Sequence, residues 1–157
     1  MESRGNFPDI ALIYFYKMSS GVTVNIVEIY LRFPTANDCI SHLEHVRWQG
    51  KPFCPYCKSD RTTPIKSMQR HYCNRCRTTF SVTVGTIFHR THLDLQKWFL
   101  AITLLNAKEG LPAHQLAREI AVTEDTAWSM GMRIRNAMTE QPELMRGIIT
   151  KSECHGG

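Results

Sequence analysis

The spacing of apolar residues between positions 95 and 120 predicts two consecutive helices. The first has an apolar face with three- and four-residue spacing, formed by Leu95, Trp98, Phe99, Ile102 and Leu105. Gly110 suits the end of this helix, and Pro112 suits the first turn of a second helix that reaches about Ile120. In that second helix, Leu116 and Ile120 are expected to point into the core.

A third helix is predicted from Thr123, a good N-cap residue, to about Met138. Its inward face is expected to comprise Ala127, Met130, Ile134 and Met138. Its outward face is expected to comprise Asp125, Ser129, Met132, Arg133 and Asn136. A short helix, a turn and a longer helix with a polar outer face favour a helix-turn-helix, and an ordinary three-helix bundle is the alternative.

The chain before residue 50 predicts one or two short helices. Thr35 can cap a helix that reaches Trp48, in which Ile40, Leu43 and Val46 follow helical spacing. Residues 22–33 combine β-branched residues with helically spaced apolar ones, and we interpret them as a short helix. Residues 1–17 have no clear place in this scheme. No apolar run in the chain approaches the length that a membrane span needs.

Short strands are predicted in the middle of the chain. Residues 70–72 and 78–84 are rich in threonine, valine and aromatic residues, which is typical of strands. The expected fold class is therefore small α+β: a unit of short antiparallel strands, followed by a three-helix helix-turn-helix domain and preceded by one or two short helices.

Positive charge is concentrated in the same middle segment. The 157 residues have ordinary globular composition and a net charge of +5. Residues 47–90 alone contain nine Lys or Arg against one Asp, a net +8. This concentration favours a polyanionic partner, although a solvated basic surface would give the same pattern. The candidate phosphate-contacting residues are Lys51, Lys58, Arg61, Lys66, Arg70, Arg75 and Arg77.

Four of the six cysteines form a pair of Cys-x2-Cys motifs separated by fifteen residues: Cys54, Cys57, Cys73 and Cys76. This spacing is typical of a zinc ribbon, in which two short knuckles direct four thiolates at one Zn²⁺ ion. Two disulfides, a redox pair and a rubredoxin-type iron site are the alternatives. Disulfides suit the reducing cytosol poorly, whereas spacing alone does not separate iron from zinc. Cys39 and Cys154 lack partners at metal spacing, and we interpret them as free thiols.

The segment around these cysteines has too few large apolar side chains to fold without help. Phe53, Tyr56, Tyr72 and Phe80 are the large ones. A unit of this size usually needs a staple, and structural zinc would supply it. Three nearby histidines are interpreted as surface or capping residues, because four thiolates already complete a site: His71, His89 and His92.

Several motifs in order resemble one protein family. They are Phe33-Pro34-Thr35, Cys54-Pro55-Tyr56-Cys57, Gly85-Thr86-Ile87-Phe88 and Arg133-Ile134-Arg135-Asn136-Ala137-Met138. Over about residues 25–147 the chain resembles bacterial insertion-sequence transposases with an N-terminal zinc ribbon and helix-turn-helix (the ISXO-two-like group). The resemblance implies that these two parts recognise transposon terminal repeats as double-stranded DNA. It also implies a following DDE-type domain that cuts and rejoins DNA with divalent metal held by acidic residues.

The resemblance further implies that this chain is truncated before that catalytic domain. The family usually has its first catalytic Asp shortly after the helix-turn-helix, whereas the last Asp here is Asp125 and Lys151 falls near the corresponding position. We therefore assign no catalytic residue and expect the chain to be inactive alone. Ala121 stands where such turns often use glycine, at a cost of about 1 kcal/mol if its φ is positive. Met18 is a plausible true start.

The expected organisation has five parts: a non-native extension at 1–17, a helical segment at 18–48, the zinc ribbon at 49–88, the helix-turn-helix domain at 91–140, and a remnant of the link to the missing domain at 141–157. The expected function is zinc-dependent binding of transposon-end DNA. The expected location is the cytoplasm, in association with the nucleoid, and the expected protein partner is a second copy of the chain or full-length transposase. Base reading is assigned to the third helix, through Thr126, Ser129 and Arg133. The alternatives are a ribbon that docks an acidic protein surface in a transcription-type module, a transposase completed by a downstream frame, and a decaying gene product.

Overall fold

The computed structural model describes residues 26–108 and 110–149. The expected extension at 1–17, the start at Met18, Cys154 and Lys151 lie outside the described residues. The helices are α1 (Ile26–Arg32), α2 (Ala36–Trp48), α3 (Leu95–Ala107), α4 (Ala113–Ile120), α5 (Glu124–Glu140) and α6 (Pro142–Ile149). The strands are β1 (Thr62–Ile65), β2 (Arg70–Cys73) and β3 (Thr79–Phe80). The α+β class, with a small sheet followed by a helical domain, is confirmed. No helix in the described ranges has the length and apolar character needed to cross a bilayer.

The helix predicted to end at Trp48 is present, with Thr35 as its N-cap. The Thr35 hydroxyl accepts a hydrogen bond from the Asp38 backbone N–H at 3.3 Å, and the Asp38 carboxylate accepts from the Thr35 N–H at 2.9 Å. This reciprocal pair satisfies two of the amides that a helix start leaves without partners. Residues 26–32 also form a helix, so the interpretation of 22–33 as helical is confirmed for the part that the structure describes.

The three strands form an antiparallel sheet in the order β1-β2-β3, in which Thr62 pairs with Cys73 and His71 with Phe80. Strand β1 was missing from the sequence expectation because it is polar and contains Pro64, which an edge strand tolerates. The strand expected over 78–84 is wrong beyond Phe80. There the chain turns, and Gly85 adopts a φ of +77°.

Helix α3 is the centre of the helical part. It is buried on more than the one face expected, because it packs against α1, α2, α4, α5 and α6. Its buried residues are Leu95, Trp98, Phe99, Leu100, Ala101, Ile102 and Leu104. Leu105, expected to point inward, is only half-buried. The Phe99 ring meets the Phe33 ring edge-on at a centroid distance of 4.9 Å, which joins α3 to the chain between α1 and α2.

Helices α4 and α5 are joined by the short turn that the sequence predicts, at residues 121–123. Ala121 does adopt a left-handed conformation with a φ of 53°, and its carbonyl oxygen accepts a hydrogen bond from Lys97 Nζ at 3.0 Å. Thr123 caps α5 by accepting from the Thr126 backbone N–H. The inward and outward faces expected for α5 are observed, except that Ala137 is fully buried and Met138 only half-buried.

Residues 142–149, part of the segment expected as a remnant of the link at 141–157, form the packed helix α6. Met145 and Ile148 are buried, and the helix contacts α2, α3 and α5. His42 Nε2 lies 2.8 Å from the Gly147 carbonyl oxygen. Burial lowers the pKa of His42, which favours the neutral ring that donates through Nε2.

Gly147→Ala is expected to destabilise the protein by about 1–3 kcal/mol. An added Cβ would lie 2.9 Å from Val46 Cγ2 and closer still to Cγ1, so α6 would have to move away from α2. Urea unfolding measures the change. The matched control is Gly131→Ala in α5, where the nearest atom would be Arg135 Nη1 at 3.6 Å, and the better helix propensity of alanine should leave stability equal or higher. Equal effects of the two changes would contradict the close packing of α6.

Candidate metal centre

Two knuckles with the same backbone conformation carry the four cysteines. In the first, Lys58 N–H donates to the Cys54 carbonyl at 3.0 Å; in the second, Arg77 N–H donates to the Cys73 carbonyl at 2.9 Å. The residue after each second cysteine is left-handed, with φ of 61° at Lys58 and 58° at Arg77. Each conformation costs about 1–2 kcal/mol for a non-glycine residue, so the surrounding structure must hold it in place.

The two knuckles bring the four predicted ligand atoms together. All four sulfurs lie within 4.8 Å of one another, with 3.6 Å between Cys54 and Cys76 and 3.5 Å between Cys57 and Cys73. Four thiolates around Zn²⁺ at about 2.3 Å would be about 3.8 Å apart, whereas a disulfide needs about 2.05 Å. The arrangement therefore fits a tetrahedral metal site and excludes disulfides. In the described residues, these four side chains are the one group of three or more metal-ligand residues close enough to share an ion.

The four thiols differ in how readily they ionise. Hydrogen bonding from the Thr78 side chain lowers the pKa of Cys76 to about 6, against the opposing effect of burial. At Cys57 a backbone hydrogen bond from Ser59 acts to lower the pKa, but burial and the neighbouring thiols outweigh it and raise the pKa to about 11. Thiolates are the metal-binding form, and a bound cation deprotonates coordinating thiols, so all four would be charged in the metal-loaded site.

Among the described residues, one further cysteine lies outside this group and behaves differently. Cys39 is buried in α2 and is a free cysteine, as predicted. Burial raises the pKa of its thiol to about 12, so it stays protonated and packs as a small apolar side chain.

An aromatic cluster shared with α2 packs against the ribbon sheet. The centroid of the Trp48 ring lies 5.0 Å from that of His71 and 5.9 Å from that of Phe80. The His71 and Phe80 rings are stacked, with a centroid distance of 5.7 Å. His71 is therefore a core residue, and its interpretation as a surface or capping residue is wrong. Its Nε2 atom lies 2.9 Å from the Glu44 carboxylate, which gives a second link to α2. His89 and His92 are exposed, as expected.

This cluster explains how the ribbon obtains a core from few apolar residues. Of the four that the sequence offers, Phe80 is buried, Phe53 and Tyr72 are half-buried, and Tyr56 is exposed. Trp48, from the end of α2, supplies the missing volume. Two buried nitrogens of the cluster, Trp48 Nε1 and His71 Nδ1, have no hydrogen-bond partner within the described residues. Such atoms reduce stability, which leaves the ribbon more dependent on its metal.

The seven candidate phosphate-contacting residues all lie on the surface of the ribbon or its entry. Each is exposed: Lys51, Lys58, Arg61, Lys66, Arg70, Arg75 and Arg77. None of them makes an ion pair within the described residues, where the pairs are His71–Glu44 and Arg146–Glu143. Lys58 lies over the Phe53 ring, 5.8 Å from its centroid.

The three candidate base-reading residues occupy different surroundings on α5. Ser129 is exposed, whereas Thr126 is half-buried and its hydroxyl lies 2.8 Å from that of Thr123. The Arg133 guanidinium carbon lies 5.1 Å from the centroid of the Trp98 ring, and the side chain donates a hydrogen bond to the Ile87 carbonyl. Arg133 is exposed, but its side chain lies against the protein at one edge of the outer face rather than at its centre.

The segment that joins the ribbon to α3 is held by side chains from both ends of the fold. Arg47 of α2 donates to the Val82 and Val84 carbonyls, at 2.6 and 2.5 Å. Gln141, after α5, donates to the Gly85 carbonyl at 3.0 Å. No local pattern indicates these contacts, because a basic residue inside a basic segment looks like one more surface cation.

The geometry defines a class of protein: a metal-binding ribbon of two cysteine knuckles, followed by a helical unit. Residues 34–79 match the family described as the transposase zinc-ribbon domain, so this segment carries the ribbon of insertion-sequence transposases and the resemblance is confirmed. The matched range includes α2, in agreement with the contribution of Trp48 to the ribbon core.

One relative supports the same conclusion. The chain is 31% identical over 117 residues to an uncharacterized protein in transposable element ISH50 of Halobacterium salinarum. The alignment covers 72% of this chain and 39% of that protein, so the chain spans less than half of the relative's length. No solved structure matches the chain.

Proposed function

We propose that this chain binds double-stranded DNA at the ends of a transposable element, and that one structural zinc ion keeps the binding surface folded. Cys54, Cys57, Cys73 and Cys76 would hold the ion. The sulfur geometry fits either zinc or iron, and the family description favours zinc. Elemental analysis of the purified chain tests this part, with one zinc per chain as the expected result.

The observation that carries the DNA-binding part is the set of exposed cations on the ribbon, none of which pairs with a carboxylate in the part of the chain that the structure describes. A surface of this kind attracts phosphates and releases their counterions on binding, so affinity falls steeply with salt. These contacts would position the protein without reading sequence. A comparable surface on a protein-docking ribbon would require an acidic protein partner.

Sequence reading is assigned to α4 and α5, which we interpret as a helix-turn-helix. In this arrangement α5 is the recognition helix and lies in the major groove. Ser129 is exposed on its outer face and can reach a base edge directly. Thr126 would first have to break its contact with the Thr123 hydroxyl, and Arg133 its contact with the Trp98 ring. These two residues are therefore secondary candidates for reading bases. Self-association or association with full-length transposase, and a location at the nucleoid, belong to the same proposal by resemblance to transposases. Strand cleavage is not proposed for this chain, because no catalytic residue is assigned in it.

Replacing two ribbon arginines, Arg61→Gln together with Arg75→Gln, is expected to weaken DNA binding and flatten its salt dependence. Each lost phosphate contact lowers the slope of log K against log salt by about 0.9, so the pair should lower it by about 1.8. Fluorescence anisotropy with a random-sequence duplex over a salt series measures the slope. Arg146→Gln in α6, where the arginine pairs with Glu143, serves as the control and should leave the slope unchanged.

The result that would contradict DNA binding is the absence of any salt-sensitive complex with the zinc-loaded chain. That outcome would favour the alternative in which the ribbon docks an acidic protein. A slope that stays constant in the double variant would instead show that DNA binds elsewhere on the molecule.

A further inference from the structure

The centre of the outer face of α5 is apolar. Met132 is 40% exposed, and Trp128, one helical turn earlier, is 61% exposed. Residues four apart on a helix are neighbours on its surface, so these two side chains form one patch. Exposed polar residues surround the patch: Ser129 and Asn136, seven residues apart, lie along one side, and Arg135 lies along the other. Asp125 is exposed on the same face, two turns before Met132. The polar outer face that the sequence suggested therefore has an apolar middle.

The side chain of Arg133 lies away from this patch, so it does not cover the apolar centre of the helix face. Arginine commonly reads guanine in the major groove, through two hydrogen bonds. Here its guanidinium packs on the Trp98 ring and donates to the Ile87 carbonyl, at the edge of the helix face. What α5 presents at its centre is a thioether and an indole, with a hydroxyl and an amide beside them.

The size of the patch argues against a second copy of the chain as its occupant. Two partly exposed side chains offer on the order of 200 Å² of apolar surface, whereas a standard interface buries about 800 Å² on each partner. A single helix does fit the major groove, which is about 12 Å wide. The apolar group that the major groove displays is the C5-methyl of thymine.

We propose that Met132 and Trp128 contact thymine methyl groups in the major groove and so give the chain a preference for thymine at defined positions. This inference rests on the proposed function, because α5 must enter the groove for the contact to form. Methionine suits the role because its flexible, polarizable side chain adapts to a methyl group at small cost. Ser129 and Asn136 would hydrogen-bond to adjacent base edges.

The test compares thymine with uracil, which lacks only the methyl. A random duplex library is selected with the zinc-loaded chain, and the duplex bound most tightly is prepared in a thymine and a uracil form. The wild-type chain is expected to bind the uracil form about fourfold more weakly for each methyl contacted, or about 16-fold for two. In Met132→Ala the ratio of the affinities for the thymine and uracil duplexes should fall by about fourfold. The slope of affinity against salt should not change, because no phosphate contact is lost.

The matched control is Met68→Ala, which removes a methionine that is 60% exposed on the turn between β1 and β2. It should retain the full difference between thymine and uracil. Since Met132 is exposed, Met132→Ala should keep its zinc content and circular dichroism spectrum, and both are measured.

The outcomes separate the inference from the proposed function. Equal affinity for the two forms, with salt-sensitive DNA binding intact, would overturn the inference and leave the proposed function standing. Failure to select or bind any duplex would overturn both. A dimer in sedimentation that Met132→Ala dissociates would show that the patch faces a second copy of the chain, which also overturns the inference.

Discussion

Chelation of the metal is expected to unfold the ribbon while the helices around α3 remain folded. Structural zinc in small peptides contributes about 10–16 kcal/mol at neutral pH, which matches or exceeds the total stability of a typical domain. The ribbon has little else to hold it, since most of its core is one aromatic cluster and two knuckle residues are left-handed. The helical part contributes most of the buried residues of the one continuous core, among them Trp98 and Phe99.

Tryptophan fluorescence can distinguish the two parts. Trp48 is buried against His71 and Phe80, Trp98 is buried in α3, and Trp128 is already exposed. Chelator should therefore shift the emission to longer wavelength in the wild-type chain but not in Trp48→Phe. Far-ultraviolet circular dichroism should retain most of the helical signal in both.

The cysteine variants provide the matched comparison. Cys73→Ser removes one of four ligands and should give a chain that behaves as the chelated wild type. Cys39→Ala removes a buried cysteine outside the cluster and should still bind one zinc with a modest loss of stability. Full stability in the presence of chelator, with all cluster thiols open to alkylation, would contradict the metal site.

Local sequence patterns were sufficient to predict the features that depend on residues close together in the chain. The two Cys-x2-Cys motifs predict the sulfur cluster, because the spacing fixes how thiolates can converge. The caps at Thr35 and Thr123 predict two helix starts, because each cap is completed within three residues. The left-handed conformation of Ala121 agrees with its place in a turn where helix-turn-helix proteins often use glycine.

The rest depends on contacts between residues far apart in the chain. Nothing near His71 indicates that Trp48 and Glu44 enclose it. Strand β1 becomes a strand only because β2 pairs with it, despite Pro64. Half of residues 142–149 are apolar, but the packing of this helix depends on a close approach to Val46 at Gly147, which is far away in the chain. The orientation of Arg133 likewise depends on Trp98, which lies in another helix.

Arg47→Met is expected to destabilise the protein by about 3 kcal/mol and to loosen the ribbon from the helices. Burial lowers the pKa of Arg47, which reflects the cost of placing a charge there, and two short hydrogen bonds to backbone carbonyls offset that cost. Hydrogen bonds to charged groups contribute about 1.5–3 kcal/mol each, and methionine leaves both carbonyls without this donor. Urea unfolding at fixed zinc concentration measures the loss, and Lys51→Met, which removes an exposed cation nearby, should change stability little.

A double-mutant cycle with Gly85 tests whether Arg47 acts through this segment. Gly85 has a φ of +77°, and an added Cβ would lie 3.2 Å from Arg47 Nη2. Gly85→Ala should therefore cost about 1–2 kcal/mol for the backbone, with a further loss from displacing the guanidinium. In the Arg47→Met background only the backbone part should remain, so the two changes together should cost less than the sum of each alone. Strict additivity would mean that Arg47 and the turn at Gly85 stabilise the protein independently.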